Sequence, residues 1–384
     1  MTAAADQGVA HHRRSTPLDA AWRETALARQ LAALPGGRTV LTCSAPLGTG
    51  GLGRHLGEIA AAVERSGEPC ERIDGGAREP APGRARPSGL LARSLLPLSP
   101  GVRTRAFMQD FDAYAASRLP AAEALIAFNG QALRQLEAAR RRGGCSLGLV
   151  SANSHLRQVA RRHAEARRRY PLEGSWTRHL VERNLAEYAL AERIYVSSRY
   201  VRESFLREGF PEERLVDFPL TPDPRYAQAL SREPSDRFEV VYVGSLAVHK
   251  GVPLLIDAVR RLPYDDLKLV LVGGWGTRGM RRFVQSACAA DPRVEVRPGD
   301  PLRHLRRASL CVHPAYEDGF AYAPAEALAG GVPLIVSEDT GMKELIDSSE
   351  SGLVLATGDG QALGEAIAAA YRGEMLTGRG DAGR

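Results

Sequence analysis

The chain has no apolar run near the ~18 residues a membrane span needs, and its first residues carry no apolar signal segment. It has five cysteines in 384 residues, scattered and odd in number (Cys43, Cys70, Cys145, Cys288 and Cys311). No C-x-x-C pair is among them, which excludes a zinc finger and a disulfide framework and points to reduced thiols in a cytoplasm. Cys43, Cys145 and Cys311 fall in or beside strand-like runs, where a thiol serves as a small buried hydrophobe. A Gly-Lys-Ser/Thr is missing, so there is no P-loop, and no DxD motif for a metal stands out.

What is present is ordinary for a soluble globular protein, with 44% hydrophobic and 25% charged residues. The length allows two domains or three, with a large core and no crosslinks. The net charge of +6 is unevenly spread. Arg134, Arg140, Arg141, Arg142, Arg157, Arg161, Arg162, Arg167, Arg168 and Arg169 crowd one stretch with few acids between them. Three readings compete. One is solvated helix faces. The second is attraction to anionic lipid headgroups or a phosphate-bearing acceptor, which places the chain against the inner membrane face. Nucleic acid ranks last, because no zinc finger, RRM or helix-turn-helix pattern accompanies the arginines.

Residues 1–36 read as an extension with one helix, opened by Thr16-Pro17-Leu18-Asp19 and stopped by Pro35-Gly36-Gly37. Thr39 to Cys43 is a buried strand. It runs into a glycine-rich turn, Ser44 to His55, and a helix from Leu56 to Ser66. Gly75 to Val102 has no clear period and reads either as an excursion over the binding face or as a disordered insertion. Strands and helices then alternate. Ala124 to Phe128, Ser146 to Val150, Arg193 to Ser197 and Leu215 to Phe218 are strands, with helices over Gln131 to Arg142, after His155, over Thr177 to Leu190 and after Arg199. Pro219, Pro222, Pro224 and Pro234 mark a linker. Beyond it, Phe238 to Val243, Leu267 to Val272, Val294 to Val296 and Leu310 to Val312 are further strands, and Leu353 to Tyr371 supplies a last strand and helix. Such alternation gives parallel sheets covered on both faces. The expected fold is α/β: two doubly wound parallel-sheet domains, residues 37–220 and 237–384, facing across a cleft.

The stretch His313 to Glu344 organises the second half. An apolar strand ends in a loop holding Glu317, Asp318 and Gly319. A helix follows with Pro324 in its first turn and Gly330-Gly331 at its end, then a strand from Pro333 to Ser337 and Gly341-Met-Lys-Glu344. Asp318 and Glu326 are eight residues apart. That is more than two helical turns, so they can grip two parts of one long ligand. The N–H groups from Gly319 onward suit an anion between those grips. An isolated Asp-Gly-Phe would read as a surface loop with one solvated glutamate.

This stretch resembles the donor-binding signature of retaining GT-B glycosyltransferases of the glycosyltransferase family 4 type. The resemblance implies that the first acid, here Asp318, contacts the transferred sugar and that Glu326 holds the nucleotide ribose. Gly319, Phe320 and Ala321 complete that signature, with Ala321 where many members carry a second glycine. Upstream, Lys250-Gly251 matches the family's Lys-Gly, and Ser245 stands where many members carry a phosphate-binding Arg. Lys250 is thereby expected to carry most of the positive charge on the diphosphate. The loop Gly273-Gly274-Trp275-Gly276 is expected beside the base pocket.

In the first half, Gly48-x-Gly50-x-x-Gly53 formally matches a dinucleotide fingerprint, but only Asp74 offers itself as the later acid. The family's Gly-Gly-x-Gly-x-His fits better. It implies that Gly51 faces the donor diphosphate and that Gly50, Gly53 and His55 face the acceptor. His155, in the loop Ser151 to His155, is similar in position to a histidine near the transferred sugar, with Ser154 as the alternative.

The implied function is transfer of a sugar from a nucleotide-sugar, UDP- or GDP-linked, to a sugar, lipid-linked or small-molecule acceptor, with retention at the anomeric carbon. Asp318, His155 and Lys250 would be the catalytic group, with no metal and no further cofactor. Two other classes stay open: a GT-B enzyme of different chemistry such as an epimerase or phosphorylase, and a non-catalytic nucleotide-sugar-binding partner.

Overall fold

The computed structural model describes residues 20–76, 100–175, 180–229, 233, 235–346 and 351–374. The excursion expected between Gly75 and Val102 lies almost wholly outside the described residues. In chain order the elements of the first half are α1 (Ala20–Ala33), β1 (Thr39–Cys43), α2 (Gly50–Ser66), β2 (Cys70–Asp74), α3 (Pro100–Arg118), β3 (Ala124–Phe128) and α4 (Leu133–Arg142). There follow β4 (Ser146–Ser151), α5 (Leu156–Arg169), α6 (Val181–Leu190), β5 (Arg193–Val196), α7 (Arg199–Leu206), β6 (Leu215–Asp217) and α8 (Pro224–Ala229). The second half holds β7 (Phe238–Val243), α9 (Val252–Arg260), β8 (Leu267–Val272), α10 (Arg278–Ala290), β9 (Val294–Val296) and α11 (Pro301–Leu305). It ends with β10 (Leu310–His313), α12 (Tyr322–Ala329), β11 (Leu334–Ser337), β12 (Gly352–Leu355) and α13 (Gly360–Tyr371).

Two six-stranded sheets result, in the orders β2-β1-β3-β4-β5-β6 and β12-β11-β10-β7-β8-β9. Every strand pair is parallel. Parallel strands covered on both faces must be apolar throughout, and Thr39–Cys43 and Ala124–Phe128 are buried at every position. In each sheet the chain winds outward, returns to the middle and winds the other way. The switch points, where ligands bind in such sheets, are between β1 and β3 and between β7 and β10.

Three local readings change. The helix after β1 starts at Gly50, not Leu56, so Gly50, Gly51 and Gly53 are its first turn and not a loop. A Cβ at Gly53 would stand 2.1 Å from the carbonyl oxygen of Pro46. The Gly48 N–H donates to the Gly53 carbonyl at 2.8 Å, closing the turn. The run Asp110-Phe111-Asp112, formally a DxD, lies within α3. There Asp112 accepts from the N–H groups of Arg134 and Gln135 at the start of α4 and pairs with Arg183. The prolines between the sheets do not make a bare linker, because Pro224–Ala229 is a short helix.

All five cysteines are free thiols, and Cys43 and Cys311 are buried. Burial pushes both of those thiols up to about 12. Cys145, also expected inside, is only partly covered. Among the described residues no helix is long and apolar enough to cross a membrane.

Candidate active site

The site grows from the second switch point. β7 ends in the loop Gly244 to Gly251, and β10 ends in the loop Pro314 to Ala321, so Lys250 and Asp318 face each other across neighbouring strand ends. Their charged atoms are 2.7 Å apart, with side chains only 16% and 17% exposed. Lys250 also donates to the Glu317 carbonyl at 3.3 Å. His313, the last residue of β10, contacts the same Asp318 oxygen through Nε2 at 3.0 Å. Burial alone would raise the Asp318 carboxyl, but Lys250 and His313 hold it well below the usual carboxylate range. Asp318 and Lys250 therefore form a charged pair within the second domain, and Lys250 is not a solitary cation.

Eight residues on, Glu326 sits one turn inside α12 with 3% of its side chain exposed. It pairs with Arg54 of α2, from the other domain. The Arg54 guanidinium lies 4.1 Å over the Tyr322 ring. The Tyr322 hydroxyl donates to Glu58 at 2.7 Å, and Glu58 accepts from the Thr221 N–H and hydroxyl at 2.9 Å each. A cavity of about 560 Å3 opens here, lined by Gly48, Arg54, Glu58, Arg72, Tyr226 and Glu326 among others. A larger one of about 710 Å3 lies at the β9 edge beside Arg297, Arg303 and Arg307. There Arg297 pairs with Glu239 and Glu295, and Arg307 with Glu239.

The α12 entry is tight. Ala321, the N-cap, has φ of +65°, the single left-handed non-glycine among the described residues. A glycine adopts that conformation without steric cost. Phe320 is buried in the core, so its part in any ligand site is played by its backbone. Ser245 is exposed, and its carbonyl accepts from the Tyr242 hydroxyl at 2.8 Å. Gly50 and Gly51 look onto open space, with no atom within 4 Å of where a Cβ would stand.

The two domains meet through acids of the second and N–H groups of the first. Glu317 is buried and accepts from Asn153 Nδ2 and the Ser154 N–H, both at 2.9 Å. Glu344 accepts from the N–H groups of Arg199 and Tyr200 at 3.0 and 2.7 Å, capping α7 from outside. A Cβ on Gly319 would stand 2.1 Å from the Ala152 carbonyl oxygen, so only glycine lets the loops approach. Next to Lys250, His249 stacks on His163 of α5 with ring centres 4.2 Å apart.

Two expected site residues are elsewhere. His55, placed on the acceptor side by the resemblance, is 2% exposed and packs between Phe128 and Phe218. Burial pushes its imidazole down to about 3. His155 is 4% exposed, wedged against Tyr188 and Phe205 at 5.0 Å. Its Nδ1 accepts from the Arg157 N–H at 3.4 Å, capping α5, and burial lowers it to about 4. Both are core groups. The residues of that first-domain loop that do touch the second domain are Ala152, Asn153 and Ser154. Several arginines of α5 have partners on other elements. Arg162 pairs with Asp339 of the second domain, Arg161 with Glu208, and Arg169 donates to the Gly358 carbonyl.

Arg54, Glu58, Tyr322, Glu317 and His313 were not singled out by spacing. The signals were adjacency alone: Glu317 beside Asp318, and Arg54 beside the third glycine.

Residues 227–379 match the family described as glycosyl transferases group 1. The fold is GT-B. Sucrose-phosphate synthase from Thermosynechococcus elongatus superposes with a TM-score of 0.62 at 20% identity, over 89% of this chain and 92% of that one. WaaG, a glycosyltransferase involved in lipopolysaccharide biosynthesis, gives 0.59 at 17% identity over 87% and 90%. HepE of Anabaena, in complex with UDP-glucose, gives 0.55 at 16% over 89% and 92%. In sequence, the chain is 26% identical over 147 residues to the capsular polysaccharide biosynthesis glycosyltransferase CapM of Staphylococcus aureus, covering 37% of this chain and 39% of CapM. It is 27% identical over 149 residues to a D-inositol 3-phosphate glycosyltransferase of Xylanimonas cellulosilytica, 36% of each. These matches span about two-fifths of the relatives' own length.

Proposed function

We propose that the protein is a retaining glycosyltransferase of the family 4 type that takes a sugar from a nucleoside diphosphate. The observation that carries this reading is the pairing of Lys250 with Asp318 at the β7/β10 switch point, with Glu326 eight residues on beside the inter-domain cavity. On this reading Glu326 accepts the ribose hydroxyls. The diphosphate lies against the first turn of α12, where helix N–H groups lack intrahelical partners. Lys250 has three donors. Two contact Asp318 and the Glu317 carbonyl, and the third is offered to a phosphate oxygen as negative charge builds on the leaving group. Asp318, held ionised, orients the sugar hydroxyls near the reacting carbon. The positive field is supplied by Lys250 and the helix, so no metal is invoked.

The acceptor is a sugar, a lipid-linked sugar or a small molecule, and it enters from the first domain past Gly50 and Gly51. Relatives named for capsular polysaccharide synthesis and for glycosylation of inositol phosphate make a hydroxylated acceptor the natural class. UDP and GDP are the candidate carriers.

A second reading is a non-catalytic nucleotide-sugar binder. It is favoured by the placement of His55 and His155 in the core and by Ser245 in place of an arginine. Thermal shift with UDP-, GDP-, ADP- and dTDP-sugars, followed by nucleotide-release assays on the stabilising donor, tests both. Stabilisation with release supports the enzyme, stabilisation without release supports the binder, and no shift with any donor removes both.

A further inference from the structure

Glu326 is buried, and its charge is met from across the cleft. Its carboxylate has about four lone-pair sites. One accepts from Arg54, and the backbone N–H of Asp223 reaches the group as well. Lone pairs remain on the side of the cavity that Arg54 and Glu326 both line. Arg54 is itself immobilised. It stacks on Tyr322, Tyr322 is tied to Glu58, and Glu58 is tied to Thr221 and to Gln30 of α1.

We propose that Arg54 is a positioning residue for the nucleotide: by holding Glu326 from the first domain it keeps that carboxylate aimed at a ligand's vicinal hydroxyls. The inference rests on the donor-site reading above and adds to it a residue of the opposite domain. The charged or titratable groups facing Glu326 are Arg54 from α2, Asp223 from the inter-sheet segment, Tyr226 from α8 and Tyr322 from α12. Arg54 is the cation among them. Burial raises the Glu326 carboxyl, and the main opposing pull is that of Arg54. Without it the acid holds its proton closer to neutrality, and a neutral acid accepts hydrogen bonds more weakly than a carboxylate.

The test is calorimetric titration of UDP and GDP from pH 6 to 9 into wild type, Arg54→Met, Arg54→Lys and Glu326→Gln, with melting temperatures recorded. Wild-type affinity should be flat over this range. Arg54→Met should bind roughly tenfold more weakly at the acid end and recover as pH rises, the difference between a charged and a neutral acceptor. Arg54→Lys should restore the flat profile. Glu326→Gln, a permanently neutral isostere, should be weak at every pH and serves as the reference should Arg54→Met fold poorly. An Arg54→Met protein with a flat profile, or with tighter binding because Arg54 merely blocks the acid, overturns the inference and leaves the donor site standing. Wild type that binds neither nucleotide overturns both.

Discussion

Asp318 and Glu326 belong to one short motif but answer to different domains. Asp318 is held by Lys250 and His313 from strand ends of its own sheet. Glu326 is held by Arg54 from the opposite domain. The sugar-phosphate end of the proposed site is therefore built within one domain, whereas the ribose end draws on both.

Removing Lys250 breaks the intra-domain half and carries the largest effect. Lys250→Ala should lower turnover by ~10²-fold, about 3 kcal/mol of lost electrostatic stabilisation. It also leaves Asp318 as a poorly compensated, mostly buried charge, so the melting temperature should fall too. The double variant Lys250→Ala/Asp318→Asn isolates the stability effect. Stability should return while turnover, with both groups gone, stays low, and a double variant with wild-type turnover would remove both Lys250 and Asp318 from the chemistry.

The inter-domain half can be loosened without touching either acid. Glu344→Ala uncaps α7 across the interface and should cost about 1 kcal/mol of stability. If approach of the first domain completes the ribose grip, UDP and GDP affinity should weaken in parallel. Loss of stability with unchanged affinity would mean that docking and nucleotide binding are uncoupled.

The buried histidines give a third handle. His55 stays neutral in the folded protein down to about pH 3, while an unfolded imidazole takes a proton near pH 6.5. Stability is thus fully present above about pH 6.5 and falls below it, by about 1.4 kcal/mol per pH unit for such a group. His55→Phe should make the acid limb of a melting-temperature profile shallower between pH 6 and 4. An unchanged limb would show that His55 is solvated. The same variant should leave nucleotide binding flat with pH, since His55 does not face Glu326. The smallest effect is at Ala321. Replacing it with glycine relieves a left-handed backbone and should raise stability by no more than about 1 kcal/mol in a denaturant titration.

Both sheets were legible apart from the edge strand β2, Cys70–Asp74, which no apolar run marks, because the other parallel strands are short, apolar and bounded by glycine and proline. Phe238–Val243 and Leu267–Val272 are found where the apolar runs stand. That Lys250 and Asp318 come together was legible only through the resemblance to the family's donor signature, whose residues lie along one domain. What spacing could not show is orientation. His55 and His155 sit where a motif places a polar group, yet each turns into an aromatic pocket formed by residues far away in the chain, such as Phe128 and Phe205. Arg54 and Glu317 were silent for the converse reason. Their partners are 272 and 163 or 164 residues distant, and nothing local marks an inter-domain contact. The arginine-rich stretch left its readings open because the acids that meet Arg162 and Arg161, Asp339 and Glu208, lie on other elements.

The most direct measurement is the calorimetric affinity of UDP and GDP for wild type and for Glu326→Ala, with the melting temperature of each protein recorded. The donor-site reading predicts measurable binding of at least one nucleotide to wild type and a loss of about tenfold or more in the variant, each such step being about 1.4 kcal/mol. Equal affinity in two folded proteins would contradict the ribose role of Glu326 and with it the donor site.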